Sequence, residues 1–143
     1  MSAYEIVPRV FFGPSSVTFK PHLIGPFTHI INCSDHRAYT NTWAINGREF
    51  LYLESLDLDD FPLLDKHFNT LKDFIDSALE DPSARVYIHC LMGLNRSATL
   101  AVAYACYKQG LRASDIIPLV QANVDRYALS NPGFQTMLIN RFG

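Results

Sequence analysis

Val86-Tyr87-Ile88-His89-Cys90-Leu91-Met92-Gly93-Leu94-Asn95-Arg96-Ser97 runs from an apolar, β-branched segment through a short glycine-bearing turn into a second apolar run, Ala98 to Cys106. That order predicts a buried strand, a tight loop and a helix. A loop entering a helix N-terminus turns backbone N–H groups inward, and the helix dipole adds partial positive charge. The N–H groups of Leu91, Met92, Gly93, Leu94, Asn95 and Arg96 therefore make a candidate cradle for a tetrahedral dianion. Gly93 lets the loop bend where a Cβ would clash, and the planar fork of Arg96 grips two oxygens. Cys90 lies at the floor, where the same field favours its thiolate. A thiolate attacks phosphorus and forms a cysteinyl-phosphate, so one hard step becomes two easier ones. Ser97 is placed to hydrogen-bond the sulfur and help it leave, and His89 to brace the loop backbone. A His-Cys pair at a strand end is also common in an ordinary core. The histidine before, the glycine within, the serine after and the strand–loop–helix setting together outweigh that reading.

A departing alcohol or phenol needs a proton. The segment Tyr52-Leu53-Glu54-Ser55-Leu56-Asp57-Leu58-Asp59-Asp60-Phe61-Pro62 offers three aspartates after an apolar strand. Asp59 is the first choice for the general acid, with Asp60 and Asp57 as alternatives. Repulsion between clustered carboxylates favours keeping a proton on one of them, as a general acid requires. The competing reading is a solvated acidic turn that caps the next helix.

Elsewhere the chain reads as one α/β domain over residues 1–143. Gly13-Pro14 and Gly25-Pro26 punctuate the first third, and Asn46-Gly47 has the form of a hairpin turn before a strand from Glu49 to Glu54. Leu64, Phe68, Leu71, Ile75 and Leu79 recur at helical spacing, with Lys72, Asp73 and Asp76 facing away. The runs around Ile30 and Val86 suit buried strands. The helix after Ser97 is apolar nearly all round, so it lies deep in the domain, and it stops at Gly110. Ser114 is the expected cap of a further helix with Pro118 in its first turn, and Asn131-Pro132 opens the last one. The expected architecture is a central, mostly parallel sheet of four to five strands with helices on both faces, and the site at the carboxyl end of a central strand.

Composition sets bounds. The chain has 143 residues, 48% hydrophobic and 18% charged, an ordinary globular balance. Twelve basic against fourteen acidic residues give a net charge of −2, which does not suit non-specific nucleic-acid binding. Three widely spaced cysteines make neither a disulfide scaffold nor a metal motif. A working thiolate needs a reducing compartment, and no signal peptide or transmembrane run is visible. The expectation is a cytoplasmic monomer, with the nucleus also open to it, that uses no metal and no cofactor, has phosphorylated proteins as partners, and engages neither nucleic acid nor membrane.

His89-Cys90-Leu91-Met92-Gly93-Leu94-Asn95-Arg96-Ser97 resembles the signature of the cysteine-dependent protein tyrosine phosphatase superfamily, in particular the small dual-specificity phosphatases. The likeness extends over nearly the whole chain. Ile6 to Gly13 is similar to the family's opening strand, Thr28 to Ser34 to its next strand, and Arg126 to Phe134 to its late loop and last helix. Counting from Tyr52 in the family pattern puts the acid at Asp59. The resemblance implies metal-independent hydrolysis of phosphotyrosine and phosphoserine or phosphothreonine in proteins, with Cys90, Arg96, Asp59, Ser97 and His89 as the catalytic set. Met92 stands where Ala or Glu is frequent, and Asn95 where Ser is frequent. Gly-Leu-Asn-Arg also resembles a branch that removes 5′-phosphates from RNA. That branch usually has His before the glycine and lacks the aspartate acid. Met92, Ser97-Ala98-Thr99 and the cluster from Asp57 to Asp60 favour the protein-phosphatase side. A third reading, a phosphoprotein-binding module without turnover, would be signalled by loss of the nucleophile or arginine, and both are present.

The resemblance also implies that Cys33, at the end of its strand, can form a disulfide with Cys90 that guards it from over-oxidation. A packed core thiol is the plainer reading, and Cys106 is read as structural. The segment His36-Arg37-Ala38-Tyr39 is placed to reach the site mouth, or is simply solvated. Arg126 is a candidate for a second phosphate, or else a partner in a surface salt bridge.

Overall fold

The computed structural model describes residues 2–36 and 47–143. Five strands form one sheet in the order β1-β2-β5-β3-β4: β1 (Tyr4–Val7), β2 (Val10–Pro14), β3 (His29–Asn32), β4 (Glu49–Tyr52) and β5 (Val86–Cys90). The β1–β2 pair is antiparallel and every other pair is parallel. The mostly parallel sheet expected from the sequence is therefore present. Parallel strands buried on both faces need apolar residues throughout, and all of β3 and β5 is buried.

Alternation along β5 divides the core. Val86, Ile88 and Cys90 face a layer of four helices: α2 (Leu63–Ala78), α3 (Arg96–Gln109), α4 (Ala113–Asn123) and α5 (Pro132–Phe142). Tyr87 faces the other side with Val17, Ile24, Phe27 and Ile30. There the cover is a 3-10 turn (Ser15–Phe19) and the short helix α1 (Pro21–Ile24). α3 is the central post: every residue from Arg96 to Cys106 is buried. It ends where Gly110 takes φ +68 and returns its N–H to the Cys106 carbonyl, a left-handed cap that glycine adopts without strain.

Four local expectations change. First, β4 ends at Tyr52 instead of Glu54, and among the described residues it pairs only with β3, in parallel, so no antiparallel partner gives Gly47 a hairpin to turn. Asn46 lies outside the described residues, as do Arg37, Ala38 and Tyr39. Second, α4 is capped by Arg112, whose carbonyl takes the N–H groups of Asp115 and Ile116, and Ser114 falls inside the first turn. The Gly143 carbonyl accepts the Ser114 N–H at 3.0 Å, so the hydroxyl is not needed as a cap. Third, Pro118 is the sixth helical residue and lies beyond the first turn, on an exposed face where water can take the Ser114 carbonyl that it leaves without a donor. Fourth, Asp76 does not simply face away. Its carboxylate accepts Tyr104 Oη at 2.7 Å and Tyr107 Oη at 2.8 Å, joining α2 to α3. No helix among the described residues is long and apolar enough to cross a membrane.

Candidate active site

The loop from β5 into α3 closes under Gly93. Its φ is +75, and a Cβ there would stand 2.3 Å from the Gly13 carbonyl carbon and 2.5 Å from Pro14 N. Both backbone conformation and space therefore demand glycine. The loop is also tied to the end of β2, because Ser15 gives its N–H to the Leu91 carbonyl at 3.1 Å. Leu91 and Met92 are thus left as the outward rim, 59% and 62% exposed, while Cys90 below them is 2% exposed.

Two groups meet the Cys90 sulfur. The Gly93 N–H donates to Sγ at 3.3 Å, and Ser97 Oγ lies 3.3 Å from it. Ser97 is fully buried and also lies 3.5 Å from the Gly13 carbonyl. Hydrogen bonds of this kind stabilise an anionic sulfur more than a neutral one. Arg96 opens α3 and is buried, at 8% exposure. Its Nη1 donates to the Ser55 carbonyl at 3.0 Å and to Asp35 Oδ1 at 3.3 Å. Its Nε is buried and has no partner among the described residues. A guanidinium fixed along one edge and unsatisfied along another is built for an incoming anion.

His89 stacks on Tyr87 with centroids 5.9 Å apart and donates from Nδ1 to the Cys90 carbonyl at 3.3 Å. Burial pushes its pKa down to about 4, so it is a neutral brace at neutral pH. Cys33 donates Sγ–H to the His89 carbonyl at 3.2 Å. Burial first, and the nearby Cys90 second, hold that thiol well above its usual range. Cys106 is also buried, which pushes its thiol up to about 11. All three thiols are free.

The three aspartates differ. Asp57 has both carboxylate oxygens engaged: Oδ2 accepts Asn95 Nδ2 at 3.0 Å, and Oδ1 accepts Asn131 Nδ2 at 2.8 Å. Asp59 and Asp60 are exposed, and neither side chain has a hydrogen-bond partner among the described residues. The Asp59 backbone is nevertheless pinned, because a Cβ on Gly133 at the start of α5 would stand 1.8 Å from the Asp59 carbonyl oxygen. The segment's start is held from below, where His67 Nε2–H donates to the Glu54 carbonyl at 2.7 Å.

Sequence reasoning missed Asp35, the Ser55 carbonyl, and Gly133 as a seat for Asp59. It found Asn131 as a cap, correctly, since Asn131 Oδ1 accepts the Phe134 N–H. The charge of Asp35 beside a strand end was the one available hint of its pairing with Arg96. Arg126 makes no ion pair among the described residues; it lies over the Tyr127 ring at 4.8 Å and donates to Tyr127 Oη. His36 lines a cavity of about 170 Å³ with Ser15, Thr18, Phe19, Asn32, Ser34, His89 and Leu91, beside the loop from β5 into α3.

Residues 13–142 match the family model of the dual specificity phosphatase catalytic domain. Over 141 residues the chain is 34% identical to dual specificity protein phosphatase 26 of Homo sapiens and 33% identical to that of Rattus norvegicus. These matches cover 96% of this chain and 65% of those proteins, so the chain spans just under two thirds of the length of its curated relatives. The crystal structure of human tyrosine phosphatase-like serine/threonine/tyrosine-interacting protein aligns with TM-score 0.82 and 26% identity, covering 98% of this chain and 95% of that one. Human DUSP28 shares the fold, with TM-score 0.84 at 19% identity over 99% of this chain and 93% of that one.

Proposed function

This chain belongs to the dual specificity phosphatase family, and from that premise we propose that it hydrolyses phosphotyrosine and phosphoserine or phosphothreonine in proteins through a cysteinyl-phosphate. The observation that supports the reading is the buried Arg96, fixed through Nη1 and without a partner at Nε among the described residues, in the same loop as a sulfur that takes the Gly93 N–H and faces the Ser97 hydroxyl.

Substrate phosphate enters the cradle, and Arg96 and the loop amides take its non-bridging oxygens. Cys90 Sγ bonds to phosphorus as the ester oxygen leaves, and Asp59 supplies that oxygen's proton. Water then attacks the cysteinyl-phosphate. It gives a proton to the Asp59 carboxylate, and the sulfur departs with its charge stabilised by Ser97 Oγ. Inorganic phosphate and the starting thiolate result. No step calls for a metal, so turnover is expected to survive EDTA.

Cys33 is the proposed redox partner. Peroxide takes Cys90 to the sulfenic acid, the Cys33 sulfur displaces the hydroxyl as water, and a disulfide forms. Absence of a Cys33–Cys90 disulfide by mass spectrometry after mild peroxide would end that idea. A reducing compartment, with the cytoplasm first, and a monomeric state complete the proposal.

The test is side-by-side turnover of a phosphotyrosine peptide, a phosphothreonine peptide and a 5′-triphosphorylated RNA, each with and without EDTA. Release of phosphate from both peptides in chelator, with the RNA untouched, is the expected result. Preference for the RNA would overturn the proposal, and so would loss of peptide turnover in EDTA.

A further inference from the structure

The residues on either side of Cys90, His89 and Leu91, line a cavity of about 170 Å³ that no step above uses. Ser15, Thr18 and Phe19 of the 3-10 turn form its second wall. The chain from the end of β3, with Asn32 and Ser34, forms the third. The turn is tied to the loop from β5 into α3, because Ser15 directs both its N–H, at 3.1 Å, and its hydroxyl, at 3.3 Å, at the Leu91 carbonyl. Leu91 is thus a rim common to the cavity and to the proposed phosphate cradle.

The wall chemistry selects the occupant. Its hydroxyl and amide side chains are already bonded within the wall. Thr18 Oγ donates to the Ser15 carbonyl at 2.6 Å, Ser34 Oγ donates to Asn32 Oδ1 at 2.7 Å, and Asn32 Nδ2 donates to the His36 carbonyl at 2.9 Å. No Lys, Arg, Asp or Glu lines the cavity among the described residues. A charged group entering it would lose water and meet no counter-charge. At the mouth, Phe19 and Leu91 leave large apolar surfaces in water, at 50% and 59% exposure. The volume is close to that of the roughly 150 Å³ apolar cavity that takes one benzene molecule, so a single Leu, Met or Phe side chain fills it.

We propose that this cavity is a substrate subsite which takes one apolar side chain flanking the phosphorylated residue, with Phe19 as its specificity-determining residue. A substrate strand lying extended across the site presents the phosphorylated residue and the residue two places away to the same face, roughly 7 Å apart. One enters the cradle while the other enters the cavity. The inference rests on the phosphatase reading above and adds to it the class of protein sequence that is preferred.

The experiment measures kcat and KM on phosphotyrosine peptides in which each of the three residues before and after the phosphotyrosine is in turn Leu, Phe, Ala, Asp or Lys. A small aryl phosphate, which cannot reach the cavity, is the control. At one position Leu or Phe should raise kcat/KM over Ala by about 10- to 100-fold, and Asp and Lys should fall below Ala. The gain should appear in KM with kcat unchanged, as for binding that is equal in ground and transition states. Phe19→Ala should cut the preference to less than about 3-fold, Phe19→Asp should abolish it, and Phe19→Leu should retain it. Phe19 is half exposed, so these changes leave the buried core intact. The aryl phosphate should be turned over alike by all four proteins.

Equal kcat/KM for every flanking residue in the wild type would overturn the proposal, and so would a preference for Asp or Lys. A preference for Leu that survives in Phe19→Asp would place the subsite elsewhere and overturn it. Equal losses on peptides and aryl phosphate in the Phe19 variants would show a structural role and do the same. Dimerisation that Phe19→Asp abolishes, without any peptide preference, would give the cavity to a second copy of the chain and also overturn it. A wild-type protein inert on the aryl phosphate and on every peptide would instead sink the phosphatase reading on which the inference stands.

Discussion

The proposed phosphate loop and the proposed acid segment lie side by side and are held by opposite means. Cys90 and the eleven residues Arg96 to Cys106 are buried in the main core, so the proposed nucleophile rests on apolar packing. Residues 56–60 are exposed, and the acid segment is held by hydrogen bonds at Glu54, Ser55 and Asp57 and by a backbone contact at Asp59. Packing resists local change, because interior side chains leave few voids and move together. A few polar contacts at a surface are individually worth about 1 kcal/mol and open readily. One half of the site is therefore a fixed receptor, and the other half is adjustable.

Substitutions in the receptor half should have the largest effects and should not depend on the leaving group. Cys90→Ser is expected to abolish turnover on every ester while phosphopeptide binding persists, as calorimetry would show. Arg96→Lys keeps the charge and loses the planar fork, and kcat should fall roughly 10²- to 10³-fold on aryl and alkyl esters alike.

Two glycines sharpen the comparison, because each refuses a Cβ in only one half of the site. Gly93→Ala drives a methyl into the Gly13 backbone at a positive φ, and it should cost at least about 100-fold on both esters. Gly133→Ala pushes on the Asp59 carbonyl, and it should spare the aryl ester while lowering the phosphothreonine peptide toward the level of Asp59→Ala, a loss of roughly 10²-fold or more. Uniform losses in both variants would erase the distinction between the halves.

The last effect concerns stability and leaves turnover aside. Burial holds the His89 pKa at about 4 against 6.5 for the ordinary imidazole, so the unfolded chain binds the extra proton first as pH falls. The stabilisation that comes from keeping His89 neutral is complete above about pH 6.5 and is lost between there and about pH 4, a total of about 3 kcal/mol. Denaturant titrations across that window should show a shallower pH dependence in His89→Gln than in the wild type.

The receptor half was legible in the sequence because its causes are local. A β-branched run, one glycine and an apolar helix within about twenty residues define β5, the loop and α3. The period of Leu64, Phe68, Leu71 and Ile75 likewise shows α2, and Asn131-Pro132 shows the start of α5. The adjustable half was legible only as composition. Three aspartates in four residues announced a carboxylate, but what separates Asp57 from Asp59 is its contacts with Asn95 and Asn131, which lie 38 and 74 residues away. The displaced start of α4 has the same origin, since the Gly143 carbonyl reaches back to Ser114. At Gly47 the turn signal was present, but parallel pairing with β3 decided the role of β4.

The most direct test of the account is to catch the covalent intermediate. Radiolabelled phosphotyrosine peptide would be mixed with Ser97→Ala protein, in which departure of the sulfur is slowed, then quenched in acid within a turnover and digested. The account predicts label on the peptide containing Cys90, absent when Cys90→Ser is added. Steady release of phosphate with no labelled protein at any quench time, or with label on another residue, would contradict it.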